Sequence, residues 1–290
     1  MLWVILSLLS AFCLATSDAL AKKAVIGENE YLVAWSRLVF TLPVLIAALF
    51  FAPIPELDAD FYRAFCIALP VELVTIILYI KALKASPLSL TLPFLALTPV
   101  FLIAVSYVLL GEAVSAQGSI GILLIAAGSY ILNIEEVRKG VFAPFKAIAR
   151  EKGSLFMIAV ALLYSITSSM GKMAIEHSSP VFFGATYFIV LNIAYIPVGL
   201  YMGRNDMQPF IREKRYVSLL LPGFFYGLMV VAHMEAINLT KVAYMISVKR
   251  TSLLMGVLYG YVLFREENIR ERLLGALLMF VGFVLVVTAT

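Results

Sequence analysis

Ten apolar segments, each about as long as a bilayer is thick, constrain this chain more than any other feature. They cover 2–21, 31–52, 63–83, 86–110, 117–134, 154–174, 180–203, 216–238, 240–264 and 271–289. A helix needs about 20 apolar residues to cross a membrane. The chain is 62% hydrophobic and only 14% charged, whereas soluble domains are about 45–50% apolar and about 25% charged. The sequence therefore excludes a soluble protein and predicts an all-α integral membrane protein with ten transmembrane helices.

The two halves of the chain repeat each other. An offset of 150 residues aligns LAKKAV at 20–25 with MGKMAI at 170–175, and an offset of 154 aligns 107–132 with 261–286. The second alignment matches Glu112 to Glu266, Gly121 to Gly275 and Gly128 to Gly282. Because each half holds five spans, an odd number, the halves must cross the membrane in opposite directions. We predict an inverted repeat made of a five-helix unit at 1–134, a basic amphipathic linker at 135–153 and a second unit at 154–290.

The basic residues are distributed unequally between the loops of the two membrane sides. Of the 22 Lys and Arg residues, sixteen fall in loops on one side, here called side B. The opposite side, side A, carries both termini and only Arg63, Lys172 and Lys241. Cytoplasmic loops concentrate Lys and Arg. We therefore predict that the protein lies in the cell (inner) membrane, with side B in the cytoplasm and both termini on the non-cytoplasmic side. The net charge of +4 thus reflects topology, and no nucleic-acid partner is expected.

The repeated segments are similar to a known group of transporters. PVFLIAVSYVLLGE at 99–112, GSIGILLIAAG at 118–128 and KRTSLLMGVLYGYVLFREE at 249–267 resemble the drug/metabolite transporter superfamily, specifically its EamA-type ten-helix members. The resemblance covers essentially the whole chain. It implies a helical bundle around a central cavity between the two repeats and alternating access without ATP. It also implies cytoplasmic termini, which is the opposite of what the loop charges predict.

A few ionisable side chains lie deep within the spans. Each costs about 2.5–3.5 kcal/mol at mid-membrane, so each requires a reason. Glu72, Lys249 and Arg250 lie about 13–15 Å from side A and Tyr226 about 18 Å, counted at 1.5 Å per residue. Transporters bind their substrates near this midplane. We therefore predict that these four residues bind substrate, with a purely structural network as the alternative.

The 154-residue offset adds two polar residues to this predicted site. It matches Glu72 with Tyr226 and Tyr79 with His233, which places polar groups at equivalent positions of the third and eighth spans. Tyr79 and His233 are therefore also predicted to bind substrate. A buried histidine with a purely structural role is the alternative for His233.

Two further predictions concern gating and helix packing. Asp18 and Arg37 lie within about 10 Å of side B on consecutive spans; they are predicted either to form a structural ion pair or, with Glu72, to take part in gating or coupling. The four matched glycines allow close approach of the fifth and tenth spans. They are assigned to helix packing, with a moving interface as the alternative: Gly121, Gly128, Gly275 and Gly282.

The Lys249–Arg250 pair also resembles that of plastid-type sugar-phosphate antiporters, where such a pair holds the phosphate. The lysine that this group carries on its fourth span is missing here. The resemblance implies an anionic or zwitterionic small-molecule substrate. No nucleotide-binding loop, zinc motif or catalytic residue set is recognisable, so neither cofactor nor metal is predicted. The sequence favours a monomeric secondary transporter in the lipid bilayer, using exchange or proton coupling; an intramembrane enzyme acting on a lipid-linked substrate is the alternative.

Overall fold

The structure, a computed structural model, describes residues 1–25, 28–85, 92–132, 152–264 and 269–289. Within these ranges the chain is helical and forms no β-strand. A 3₁₀ helix at Leu92–Leu97 precedes α4, and a second one at Arg215–Leu219 precedes α9. The α-helices are α1 (Leu2–Val25), α2 (Glu30–Leu49), α3 (Ala59–Ala85), α4 (Thr98–Leu110), α5 (Ala116–Leu132), α6 (Lys152–Glu176), α7 (Pro180–Gly203), α8 (Met207–Arg212), α9 (Leu220–Asn238), α10 (Val242–Lys249), α11 (Ser252–Phe264) and α12 (Ile269–Thr288).

Local sequence signals account for the starts of several helices. Asn29 caps α2 by accepting the Tyr31 N–H, and Ser179 caps α7. A side-chain oxygen at this position satisfies an N–H group that has no partner in the first helical turn. Pro180 follows as the first residue of α7, where its fixed φ suits a helix and its missing N–H is not needed.

The helices bear out the prediction of an all-helical, multi-pass integral membrane protein. Six helices of the described ranges are long and apolar enough to cross a membrane: Leu2–Ala21, Glu30–Leu49, Ala59–Ala82, Lys152–Glu176, Pro180–Gly203 and Arg215–Asn238. Shorter apolar helices cover Phe94–Leu110, Ala116–Leu132 and Leu273–Thr288. The total of ten spans remains a prediction. The linker predicted at 135–153 falls largely outside the described residues, as does Glu266.

Two segments that were predicted as single spans are not uniform α-helices, a feature that the sequence interpretation did not include. The segment 240–264 consists of α10 and α11, separated by a turn at Arg250 and Thr251. In this turn the Thr251 N–H bonds to the Val248 carbonyl, three residues back, which is a tighter spacing than that of an α-helix. The described part of 86–110 is the first 3₁₀ helix followed by α4. The division places Lys249 at a helix end and Arg250 in the turn.

Helices from the two halves of the chain pack against each other in pairs. The most extensive contacts are those of α5 with α12, α3 with α6, and α1 with α9, and α2 also packs on α7. In the first pair the backbones touch at the four glycines assigned to helix packing. A Cβ atom added to Gly121 would lie 2.7 Å from the Gly282 carbonyl oxygen, and one added to Gly128 would lie 2.6 Å from that of Gly275.

Candidate functional site

The ionisable residues predicted at the midplane meet between the two halves, where α10 ends. Lys249 Nζ lies 3.2 Å from His233 Nδ1 of α9. The Glu72 carboxylate of α3 lies beside the Thr167 hydroxyl of α6 and interacts electrostatically with Lys249. The carboxylate and the ammonium therefore lie near enough to influence each other electrostatically at the interface between the halves.

Arg250 points in a different direction, toward the start of α4. One of its terminal nitrogens donates a 2.9 Å hydrogen bond to the Thr98 hydroxyl, while its Nε is buried without a partner. Tyr79 and Tyr164 are its electrostatic neighbours. Among the described residues, no carboxylate lies within ion-pair distance of this guanidinium. In the described part of the chain, Arg250 is thus a positive charge that is hydrogen-bonded to a neutral hydroxyl and paired with no carboxylate.

Asp18 and Arg37 form the predicted ion pair, with 2.8 Å between Oδ1 and Nη1. The Arg37 guanidinium also stacks over the ring of Tyr226, 4.1 Å from its centroid. Lys249 interacts electrostatically with both members of the pair. The Asp18–Arg37 pair and the residues predicted at the midplane, which the sequence interpretation treated as two separate groups, therefore form one assembly. We call it the central polar cluster: Asp18, Arg37, Glu72, Tyr79, Tyr226, His233, Lys249 and Arg250.

Sequence reasoning missed four polar side chains that line this cluster. Thr98 and Thr167 contact Arg250 and Glu72. Tyr164 and Tyr187 lie close enough to Glu72 to interact with it electrostatically. Neutral Tyr and Thr are common in apolar spans, so none of them stands out alone. A search for polar residues at equal depth on facing helices would have found them.

The charges of the central polar cluster do not balance. Arg37, Lys249 and Arg250 are basic, whereas only Asp18 and Glu72 are acidic. Asp18 satisfies Arg37 directly and Glu72 lies near Lys249, which leaves Arg250 without a counter-charge in the described part of the chain. A buried charge is strongly unfavourable unless it is paired. The arrangement is therefore suited to accept one negative charge from a ligand.

A second ionic network lies toward side A and was not predicted. Lys172, which the sequence analysis counted as a loop charge, is only 6% exposed. Its Nζ donates to Glu112 Oε1 at 2.6 Å and to the Thr240 carbonyl at 2.7 Å. The other carboxylate oxygen of Glu112 accepts the N–H of Val242, the first residue of α10, at 2.9 Å. The repeat offers a signal for this pair, since Lys22 and Glu266 are matched to Lys172 and Glu112.

One group of metal-ligand type occurs among the described residues, at the side A end of α3. It comprises Asp58, Asp60 and His177. Asp58 Oδ1 accepts the N–H groups of Asp60 and Phe61, and its Oδ2 lies 2.6 Å from His177 Nδ1. These contacts, above all the Phe61 N–H, hold the pKa of Asp58 below its usual value. The carboxylate thus serves as the cap of α3.

Comparison with known proteins matches both halves of the chain to one family. The sequence profile of the EamA-like transporter family matches residues 1–134 and 151–288. No curated protein matches the sequence. Twenty-eight chains of solved structures match the fold. One of them, described as "Crystal structure of protein", has a TM-score of 0.72 at 16% identity and covers 98% of this chain and 95% of its own. At this identity the likeness concerns the fold alone.

Proposed function

The chain belongs to the EamA-like transporter family, whose members move small molecules across membranes, and from this premise we propose a secondary transporter for a small polar or amphipathic metabolite that is anionic or zwitterionic. The observation that carries the choice of substrate charge is Arg250. Its guanidinium lies between the two halves, bonded to the Thr98 hydroxyl and to no carboxylate of the described residues. A ligand carboxylate or phosphate would supply the missing counter-charge through a charge-assisted hydrogen bond.

The helix boundaries support an inverted repeat around this site. Adding 154 to the bounds of α4, 98 and 110, gives 252 and 264, which are the bounds of α11. The start of α4 after the first 3₁₀ helix and the start of α11 after the turn therefore fall at equivalent positions. The glycines of α5 and α12 support the same symmetry, because Gly121 contacts Gly282 while its equivalent, Gly275, contacts Gly128. Reciprocal contacts of this kind are the signature of a two-fold axis.

Alternating access would use the polar cluster as the substrate site. Arg250 would hold the anionic group of the substrate, while Lys249, with His233 and Glu72 beside it, would hold a second polar group. Discontinuous helices at the midplane serve this purpose in other secondary transporters. Glu72 and the Asp18–Arg37 pair are the groups that we assign to coupling or gating, by proton or by exchange.

The proposed orientation places side B in the cytoplasm and both termini outside. The buried position of Lys172 supports it, because an ion-paired lysine inside the bundle does not count as a loop charge. Side A then retains only Arg63 and Lys241 against the sixteen basic residues of side B. Under the positive-inside rule, such a difference in the number of basic residues strongly supports this orientation.

The proposal is tested by binding and then by flux. A thermal-shift screen of the purified protein against carboxylates, sugar phosphates, amino acids and nucleosides identifies a ligand, because a compound that binds only the folded state stabilises it. Counterflow of that compound in liposomes then measures transport. We expect Arg250→Gln to weaken binding about tenfold or more, since a hydrogen bond to a charged group is worth about 1.5–3 kcal/mol.

The matched control is Arg204→Gln. Arg204 is exposed on side B, where it lies over the Tyr201 ring at 5.5 Å, so its loss should leave binding unchanged. Equal affinity of an anionic ligand for the wild type and for Arg250→Gln would refute the assigned substrate charge. Product formation without flux would favour an intramembrane enzyme, and flux that does not saturate would favour a channel.

A further inference from the structure

The turn between α4 and α5 is bonded to the start of α10 along several residues. Besides the Glu112 contact with the Val242 N–H, the Lys241 ammonium donates to the Ala113 carbonyl at 2.6 Å. The Tyr244 hydroxyl accepts the Ser115 N–H at 3.1 Å. These bonds connect the first half of the chain to the second half at the side A end of the bundle.

An ion pair shielded from solvent lies at the centre of these contacts. The side chains of Lys172 and Glu112 are 8% and 12% exposed. Lys172 also lies 3.8 Å from Glu176, but that carboxylate is 49% exposed. Exposed pairs contribute little, whereas removing one partner of a buried pair leaves an uncompensated charge and is strongly destabilising. The ion pair of Lys172 with Glu112 therefore stabilises the conformation in which it forms, whereas the pair with Glu176 contributes little.

The pair is connected to the central polar cluster through a single short helix. Glu112 holds the first residue of α10, and Lys249 is the last residue of the same helix. Eight residues of α-helix span about 12 Å. A displacement of the start of α10 is thus transmitted directly to Lys249 and to the adjoining turn with Arg250.

The two ends of the bundle differ in packing. Every residue of α10 from Val242 to Val248 is at most 5% exposed, and α10 packs on α4. The Asp18 side chain, which lies in the side B half, is 56% exposed. The structure therefore corresponds to a state closed toward side A.

We propose that Glu112 and Lys172 form the latch that closes side A, and that they act as positioning residues for Lys249 and Arg250 by holding the start of α10. The inference rests on the proposed transport function and specifies how the same site is gated. In each cycle the Lys172–Glu112 ion pair and the Glu112 contact with the Val242 N–H separate when side A opens. They form again when it closes.

The experiment measures access from side A directly. The two cysteines, Cys13 and Cys66, are replaced by serine, and Ser247→Cys introduces one reporter thiol in α10, where the native residue is fully buried. A membrane-impermeant thiol reagent is applied from either side, with vesicles of both orientations. The latch variant is Glu112→Gln, which preserves the shape of the side chain. The matched control is Glu176→Gln, which removes the exposed carboxylate from the same lysine.

We expect Glu112→Gln to increase the rate of labelling from side A about tenfold or more, and Glu176→Gln to leave it within about twofold, since a tenfold change corresponds to about 1.4 kcal/mol. Tyr244→Phe is a milder second variant that removes only the hydroxyl bonded to Ser115. It should raise the labelling rate in the same direction by about twofold to fivefold. Lys172→Arg keeps the charge and should preserve most of the protection.

A conformational role also predicts a kinetic asymmetry. If fewer molecules are open to side B, the KM measured from that side rises in inverse proportion to the fraction that remains open, with little change in kcat. Equal labelling of Glu112→Gln, Tyr244→Phe and the wild type would refute the latch, whatever the transport assay shows. Increased labelling in a protein that transports none of the tested solutes would instead refute the proposed function and leave the latch standing.

Discussion

The substitution Gly275→Ala tests how closely α5 and α12 must approach. A Cβ atom at this position would lie 2.6 Å from the Gly128 carbonyl oxygen and 2.7 Å from the Leu132 nitrogen, both of them backbone atoms. Real Cβ atoms essentially never come within 3.0 Å of another heavy atom, and ordinary contact begins at 3.4 Å, so the two backbones would have to move apart. Overpacking of this kind costs about 1–3 kcal/mol. Because both helices are rigid along this seam, the separation also disturbs the contact of Gly121 with Gly282.

The assay is the apparent melting temperature of the purified protein in detergent, followed by intrinsic fluorescence. At about 2–4 °C per kcal/mol, a cost of about 1–3 kcal/mol means that Gly275→Ala should lower it by about 2–12 °C. The control is Gly256→Ala in α11, where an added Cβ meets nothing within 4 Å. There the helix propensity of alanine should be neutral or stabilising by up to about 1 kcal/mol. Melting of Gly275→Ala within about 1 °C of Gly256→Ala would refute the reasoning.

Three further outcomes follow from the described contacts. The contacts of Asp58 with the Phe61 N–H and His177 lower its pKa, so they stabilise the fold above the unfolded pKa of about 4 and are lost as the pH falls through the lower folded value. Asp58→Ala should therefore remove part of the decline in melting temperature between pH 6 and pH 3, and an unchanged profile would contradict this. Tyr226→Phe should keep the stack with Arg37, while Tyr226→Ala should lose about 0.5–2 kcal/mol of stability, measured by thermal unfolding; equal melting of both variants would exclude a contribution of the stack. A reporter enzyme fused to the C-terminus should be active outside the cytoplasm, and activity only inside would reverse the proposed orientation.

The sequence predicts the class of fold well because the signal is long and redundant. Twenty consecutive apolar residues admit few alternatives to a spanning helix, and the glycines at 121, 128, 275 and 282 report the contact of α5 with α12 through their spacing alone. The break after Lys249 was not predictable in this way. No proline or glycine marks it, and the apolar run continues on both sides of Arg250 and Thr251.

The same limit explains why the Lys172–Glu112 pair was missed, whereas the charges of the central polar cluster could be singled out from the sequence. A charge in the middle of an apolar span stands out by its cost, whichever partner it has. Lys172 lies near a span end, where a solvated loop charge is the ordinary interpretation. The repeat marks Lys172 and its partner Glu112 individually, but they lie 60 residues apart in the chain, so the fact that they pair with each other is visible only in the packing of α6 against the α4–α5 turn.

The helix packing follows the two-fold repeat of the chain, whereas the charged residues of the central polar cluster do not. The glycines of α5 and α12 and the bounds of α4 and α11 recur at an offset of 154. The charges do not, because the positions equivalent to Lys249 and Arg250 are Leu95 and Ala96. In the proposed transport cycle, two states of similar energy, open to opposite sides, require only that the packing elements be equivalent. The proposed anionic substrate requires only one set of cations, and a second set would add an uncompensated charge to the membrane interior. Introducing the second set with Leu95→Lys and Ala96→Arg should therefore destabilise the protein without adding a second binding site, as thermal unfolding and ligand stoichiometry would measure; two ligands bound per chain would contradict this.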